Sequence, residues 1–211
     1  LPITEVANSV GIDPHVVIPY GRGKAKIPLE AIRRDGSRGK IVLVTGMTPT
    51  RAGEGKSTTA IGLTQAMGRL GHRVIGTLRE PSLGPIFGIK GGGTGGGSAR
   101  VIPEDEINVH FTGDAHAVSS AHNLLAALTD NASYRGMVSG LSPSGITWRR
   151  VVDIEDRALR TIATGLGGKS NAPARESGFD IVAASEVMAI FCLATDLKDL
   201  ERRLGNITIA Y

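Results

Sequence analysis

The stretch Lys40-Ile41-Val42-Leu43-Val44-Thr45-Gly46-Met47-Thr48-Pro49-Thr50-Arg51-Ala52-Gly53-Glu54-Gly55-Lys56-Ser57-Thr58-Thr59-Ala60 decides how the chain is read. Ile41 to Thr45 is a short apolar run rich in β-branched residues, the pattern of a strand covered on both faces in a parallel sheet. Thr50 to Ser57 follows the spacing G-x-x-x-x-G-K-[ST], with Gly55, Lys56 and Ser57 matching and Thr50 standing where the first glycine is usual. From Ser57 to Leu70 the spacing becomes helical, with Ala60, Leu63, Met67 and Leu70 on one face and Gly71 placed to end the helix. Val74 to Leu78 reads as the next strand. Strand, glycine-containing loop, helix and strand make a βαβ unit, with a right-handed crossover and parallel strands.

The chemistry follows from that order. Successive backbone N–H groups in such a loop converge on phosphate oxygens, and the helix presents its N-terminus to the same anion. Thr50, Arg51, Ala52, Gly53, Glu54, Gly55, Lys56, Ser57 and Thr58 are therefore the candidate nucleotide-binding residues. Lys56 is placed to neutralise β- and γ-phosphates, and Ser57 to support Mg²⁺. The plain alternative is a glycine-rich turn with a solvated lysine.

Three further segments surround this one. Leu78-Arg79-Glu80-Pro81 lies at the carboxyl end of the second expected strand, where ligands of open α/β sheets sit. Arg79 offers a planar donor fork to an anion there, and Glu80 a carboxylate for a cation, unless the two simply cap a turn. Gly84 to Gly97 holds eight of the 29 glycines in fourteen residues. That concentration suits a lid or a close backbone approach, and a surface loop is the alternative. His110-Phe111-Thr112-Gly113-Asp114 reads as a short strand, Ile107 to Phe111, running into a helix from about 115 to 130. Asp114 is a candidate for metal coordination or proton capture, with a helix N-cap as its plainer role. His116 and His122 fall on different helix faces, which argues against a histidine metal pair.

Beyond these, helices are expected at 154–166, 186–193 and along the Leu197, Leu200, Leu204 face, with a strand at 179–184 and another near 207–211. Residues 1–38, interrupted by four prolines, read as an N-terminal arm, and 39–211 as one nucleotide-binding domain. The fold class expected is α/β, a mostly parallel sheet with flanking helices, of the P-loop NTPase type.

Composition bounds the function. The chain has 211 residues, 41% hydrophobic and 21% charged, which is ordinary for a globular protein. A net charge of +4 and 4% aromatic residues give little ground for nucleic-acid binding. The seven basic and four acidic side chains of residues 1–40 read as a solvated face, with a basic arm that reaches an anion or a neighbouring subunit as the alternative. No run is long and apolar enough for a membrane helix, and the first thirty residues hold no secretory h-region, so a cytoplasmic location is expected. The single cysteine, Cys192, excludes an internal disulfide.

Thr48 to Thr58, Leu78 to Pro85, the glycine run and His110 to Asp114 together resemble the formate–tetrahydrofolate ligase family. The likeness continues through Ala121 to Ala127, Gly178 to Ile181 and Ala184 to Ile190, and it departs at Gly93-Thr94 and Ser98. Family members run to well over twice this length, so the chain reads as an N-terminal portion, apparently truncated before the part that stacks the pterin ring. The resemblance implies ATP with Mg²⁺, formate and tetrahydrofolate as small-molecule partners, a monovalent cation (K⁺ or NH₄⁺), and a homo-oligomer, a tetramer in the family. It implies catalytic roles for Lys56, Arg79 and Asp114, Arg79 on formyl phosphate, and metal support from Ser57 and Glu80. Two other readings stand beside it: a catalytically incomplete ATP-binding module, and a P-loop enzyme of the dethiobiotin-synthetase type, which gives no reason for Arg79 and the 110–114 segment together.

Overall fold

The computed structural model describes residues 1–31, 39–48, 50, 53–81, 83–87 and 91–211. The chain divides into two compact units, Leu1–Gly113 and Asp114–Tyr211.

The first unit opens with helix α1 (Ile3–Ser9) and a two-residue antiparallel pair, β1 (Ile18–Pro19) with β2 (Ala25–Lys26). Helix α2 (Lys56–Arg69) follows, close to the expected bounds, and Gly71 takes the left-handed conformation at its end. Its inward residue is Ile61, whereas Leu63 and Leu70 of the expected face are 39% and 74% exposed. The two expected strands do not form a ladder: 41–45 and 74–78 are unpaired among the described residues. A strand buried on both faces needs hydrogen-bonded neighbours and a covering layer on each side. Ile41, Val42 and Leu43, at 93%, 68% and 80% exposure, have neither.

Residues 104–109 are helix α3 (Glu104–Val109), where sequence pattern suggested a strand from 107. Three acidic residues in its first turn, Glu104, Asp105 and Glu106, favour a helix start by their interaction with the positive end of the dipole.

The second unit is built on helix α4 (Asp114–Tyr134), which runs past the expected end at 130. Strand β3 (Arg150–Val152) pairs in parallel with β6 (Phe179–Ile181), in the register Arg150 to Phe179. Between them β4 (Ile162–Thr164) and β5 (Arg175–Ser177) form an antiparallel pair. The helix expected at 154–166 is absent; Gly165, Gly167 and Gly168 at positive φ turn the chain back into this pair. Helices α5 (Glu186–Leu193) and α6 (Leu197–Leu204) match expectation. Near the C-terminus the strand is reduced to a single bridge, Ile146 to Ala210. The architecture is thus mixed α/β, but of three strand pairs among the described residues one is parallel and two are antiparallel.

The core of this unit gathers Ala115, Val118, Ala126, Trp148, Val151, Val182 and Val187. A polar knot crosses it. His122 Nε2–H donates to the Arg149 carbonyl at 2.9 Å, so Nδ1 is the acceptor for the Ser185 hydroxyl at 2.8 Å. Ser185 caps α5 by accepting the Met188 N–H. The imidazole stacks on Trp148 with ring centroids 4.1 Å apart, and Trp148 Nε1–H donates to the His122 carbonyl. One side chain of α4 thereby anchors the approach to β3 and the start of α5.

Burial lowers the His122 pKa from its ordinary 6.5, against the raising influence of the Arg149 hydrogen bond and of Asp180 and Glu186. The unfolded chain therefore binds the extra proton first, and stability is full above about pH 6.5 and declines as pH falls towards the depressed value. Chemical denaturation between pH 7.5 and 5 is expected to show that decline, and His122→Gln to flatten it while costing about 1–3 kcal/mol for partners left unsatisfied. A parental profile identical to that of the variant would contradict this role.

Candidate functional site

The loop before α2 is shaped by two glycines in the left-handed region, Gly53 at φ 78° and Gly55 at φ 68°. A side chain with a Cβ adopts that conformation at a cost, whereas glycine does not. Gly55 is the N-cap, and no side chain caps the helix. The N–H groups of the first turn therefore have no intrahelical partner. Lys56 is the first helical residue and Ser57 the second. Arg51 and Ala52 lie outside the described residues.

Glu54 supplies the loop with an internal carboxylate. It forms an ion pair with the Lys56 ammonium group and accepts the Thr50 N–H. The Lys56 hydrogen bond, ahead of the Thr50 N–H, holds the Glu54 carboxyl below its ordinary value. Thr50 also donates its hydroxyl to the Gly53 carbonyl at 3.3 Å, closing the loop on itself.

Behind Ser57 lies a cavity of about 400 Å³ within the first unit. Three of the segments singled out in the sequence reach it: Ser57 from α2, Arg79 and Glu80 from the extended segment, and Gly92 and Gly93 from the glycine run. Ile107 and Phe111, from α3 and the turn after it, complete the wall. Lys56 stands one residue from this lining with its side chain 48% exposed. Thr58 is exposed. Asp114 begins α4 in the second unit.

Residues 88–90 of the glycine run lie outside the described residues, and 93–101 form a packed hairpin. Val101 N–H donates to the Gly93 carbonyl and Gly95 N–H to the Ala99 carbonyl, each at 2.7 Å, and Gly93 N–H donates to Asn108 Oδ1 at 3.0 Å. Its backbone presses on α2. A Cβ on Gly91 would lie 2.3 Å from Ser57 Oγ, and one on Gly95 would lie 2.7 Å from Ile61 Cγ2 and 2.9 Å from the Ala99 carbonyl oxygen. The glycines at 91 and 95 therefore permit a close approach of backbone to α2.

Nothing in the residue pattern marks Phe111 as a wall residue, because an aromatic between a histidine and a threonine looks like any strand position. Its backbone is the signal: φ is 38°, the one positive value among the described non-glycine residues. Chemically the arrangement offers a cationic fork, a carboxylate and a hydroxyl on a largely apolar surface. Among the described residues no group of three or more His, Cys, Asp or Glu could hold a metal by itself. Ser57 and Glu80 suit an ion that takes one or two protein ligands and is otherwise held by phosphate and water, as Mg²⁺ is.

A family model described as formate–tetrahydrofolate ligase matches residues 1–211. Formate–tetrahydrofolate ligases of Granulibacter bethesdensis, Sinorhizobium medicae and a Sphingobium species are 57%, 55% and 56% identical over 213, 212 and 211 residues. These alignments cover 99–100% of this chain and 37–38% of each relative, so the chain spans a little over a third of their length.

Gly95→Ala tests the packing. It should lower the stability of the first unit by about 1–3 kcal/mol, as overpacking does, in urea titrations followed by circular dichroism. A midpoint equal to the parental one would show that the hairpin is not pressed against α2.

Proposed function

The chain belongs to the formate–tetrahydrofolate ligase family, and on that premise we propose that it carries the ATP-binding and formate-activating part of a ligase joining formate to tetrahydrofolate. The observation that carries this reading is a cavity lined together by Ser57, Arg79 and Glu80 beside the Lys56 loop. The succession of extended segment, glycine loop and helix around Lys56 supports a P-loop-like nucleotide-binding portion within residues 39–211, with residues 1–38 as its arm.

Formate is a poor electrophile because its carboxylate is resonance-stabilised. Activation proceeds by attack of a formate oxygen on the γ-phosphorus of ATP, giving formyl phosphate and ADP. The N10 amine of tetrahydrofolate then attacks the formyl carbon, loses a proton and expels phosphate, leaving 10-formyltetrahydrofolate. Such a transfer needs in-line positioning and charge neutralisation more than covalent help from the protein.

In this reading the first-turn amides of α2 and the loop amides bind the terminal phosphates. Lys56 exchanges its Glu54 partner for a phosphate oxygen. Ser57 and Glu80 are the side chains that would hold Mg²⁺, which when bound would supply charge neutralisation to the phosphates. Arg79 receives the formyl phosphate with its donor fork. Asp114 is assigned by family likeness to the region of the intermediate, as is a monovalent cation, K⁺ or NH₄⁺. A homo-oligomeric state and a cytoplasmic location belong to the same family-based reading. No helix among the described residues is long and apolar enough to cross a membrane.

A second reading is an ATP-binding portion with no turnover of its own. The test is ADP release by a full-length enzyme carrying these residues. Release that requires both formate and tetrahydrofolate is expected, and Lys56→Ala should lower kcat/KM for ATP about a hundredfold or more, as loss of a transition-state contact does. Arg79→Lys keeps the charge but not the fork, and should raise KM for formate while ATP binding stays near parental. Unchanged turnover in Lys56→Ala would contradict the assignment.

A further inference from the structure

Lys24 is a lysine with only 7% of its surface exposed, and the reaction assigns it nothing. Its segment is tied down on both sides. Tyr20 N–H donates to the Lys24 carbonyl at 2.9 Å, and Ile3 N–H to the Arg22 carbonyl at 2.9 Å. A Cβ on the preceding Gly23 would lie 3.3 Å from Pro103 Cδ.

From this anchored turn the ammonium group donates to the Phe111 carbonyl at 2.7 Å and pairs with Glu106 Oε2 at 2.5 Å. It also stands over the rings of Tyr20 and Phe111, at 5.2 and 5.9 Å from their centroids. A buried ammonium ion is costly without such partners, and one carboxylate, one carbonyl and two ring faces replace its water. Both hydrogen-bonded partners, Glu106 and Phe111, belong to the α3 end that closes the cavity. Phe111 is held in the left-handed region, a conformation a bulky residue keeps only when its surroundings impose it. Its N–H is fixed to the Glu106 carbonyl at 2.7 Å, and its own carbonyl is fixed by Lys24.

We propose that Lys24 is a positioning residue for the cavity: its ammonium group holds the Phe111 backbone so that the ring stays in the wall and keeps water from the acyl phosphate formed beside Arg79. The proposal rests on the reading given under Proposed function. An acyl phosphate open to solvent is lost by attack of water on the formyl carbon, which returns formate and phosphate and wastes one ATP. An apolar wall beside the cationic fork prevents that loss. The charge of an N-terminal lysine, solvated on a sequence reading, thus serves the coupling of ATP use to product.

The test compares ADP released with 10-formyltetrahydrofolate formed, in the full-length enzyme carrying these residues. The parent should stand near parity. Lys24→Met, which keeps the stem and loses the donor, should raise the ratio severalfold and produce formate-dependent ADP release without tetrahydrofolate. Lys24→Arg should bring the ratio back towards parity. Should Lys24→Met fail to fold, Phe111→Gly decides: glycine accepts the positive φ and removes the ring, and the ratio must rise. A ratio at parity in folded Lys24→Met, or in Phe111→Gly, overturns the proposal and leaves the ligase reading standing. A parent without formate-dependent ADP release overturns both.

Discussion

The first unit depends on how closely a peptide backbone can come to the first turn of α2. A Cβ on Gly91 or Gly95 would lie within 2.3–2.9 Å of atoms of Ser57, Ile61 or Ala99. Any side chain there would push the hairpin off the helix and open the cavity that Ser57 shares with Arg79 and Glu80. The same economy of side chains precedes the helix, where Gly53 and Gly55 turn the loop through the left-handed region. Glycine thus does two different jobs within fifty residues: it permits a turn at 53–55 and a contact at 91–95. Between them sits a helix end with no side-chain cap and a lysine whose charge is matched by Glu54.

Much of this was legible in the residues themselves. The Gly55-Lys56-Ser57 run set the loop and the start of α2 to within one residue, because the chemistry of an uncapped helix start is local. The starts of α5 and α6 are also set locally, by Ser185 and Asp196, whose side chains accept the Met188 and Asp199 N–H groups. Pairing was less legible. Ile41–Thr45 has the composition of a central strand, but a strand exists only with a neighbour, and a neighbour is not a local property. The 154–166 segment differs in another way: its apolar spacing suits a helix, and Gly165, Gly167 and Gly168 turn its end into a hairpin with 175–177.

The second unit shows what periodicity conceals. Asp130 sits near the end of α4 and accepts from Arg150 at 2.9 Å and from Arg175 at 3.0 Å. With His122 it ties Arg149, Arg150, Arg175 and Ser185 to one helix through charge-assisted and neutral hydrogen bonds. Neither residue announces itself in the sequence, since a histidine and an aspartate on a long helix look like solvent-facing positions. Their partners lie twenty to more than sixty residues away, and only the folded chain supplies them. Lys24 in the first unit belongs to the same class: a charge that reads as solvated until Phe111 and Glu106 are found around it.

On the proposed function, a nucleotide's terminal phosphates gather at the start of α2. Amide chemical-shift mapping during titration with MgATP reads this residue by residue. The largest perturbations should fall on Gly53, Gly55, Lys56, Ser57 and Thr58 and saturate together. Saturable binding that perturbs amides elsewhere and leaves these unmoved would contradict it.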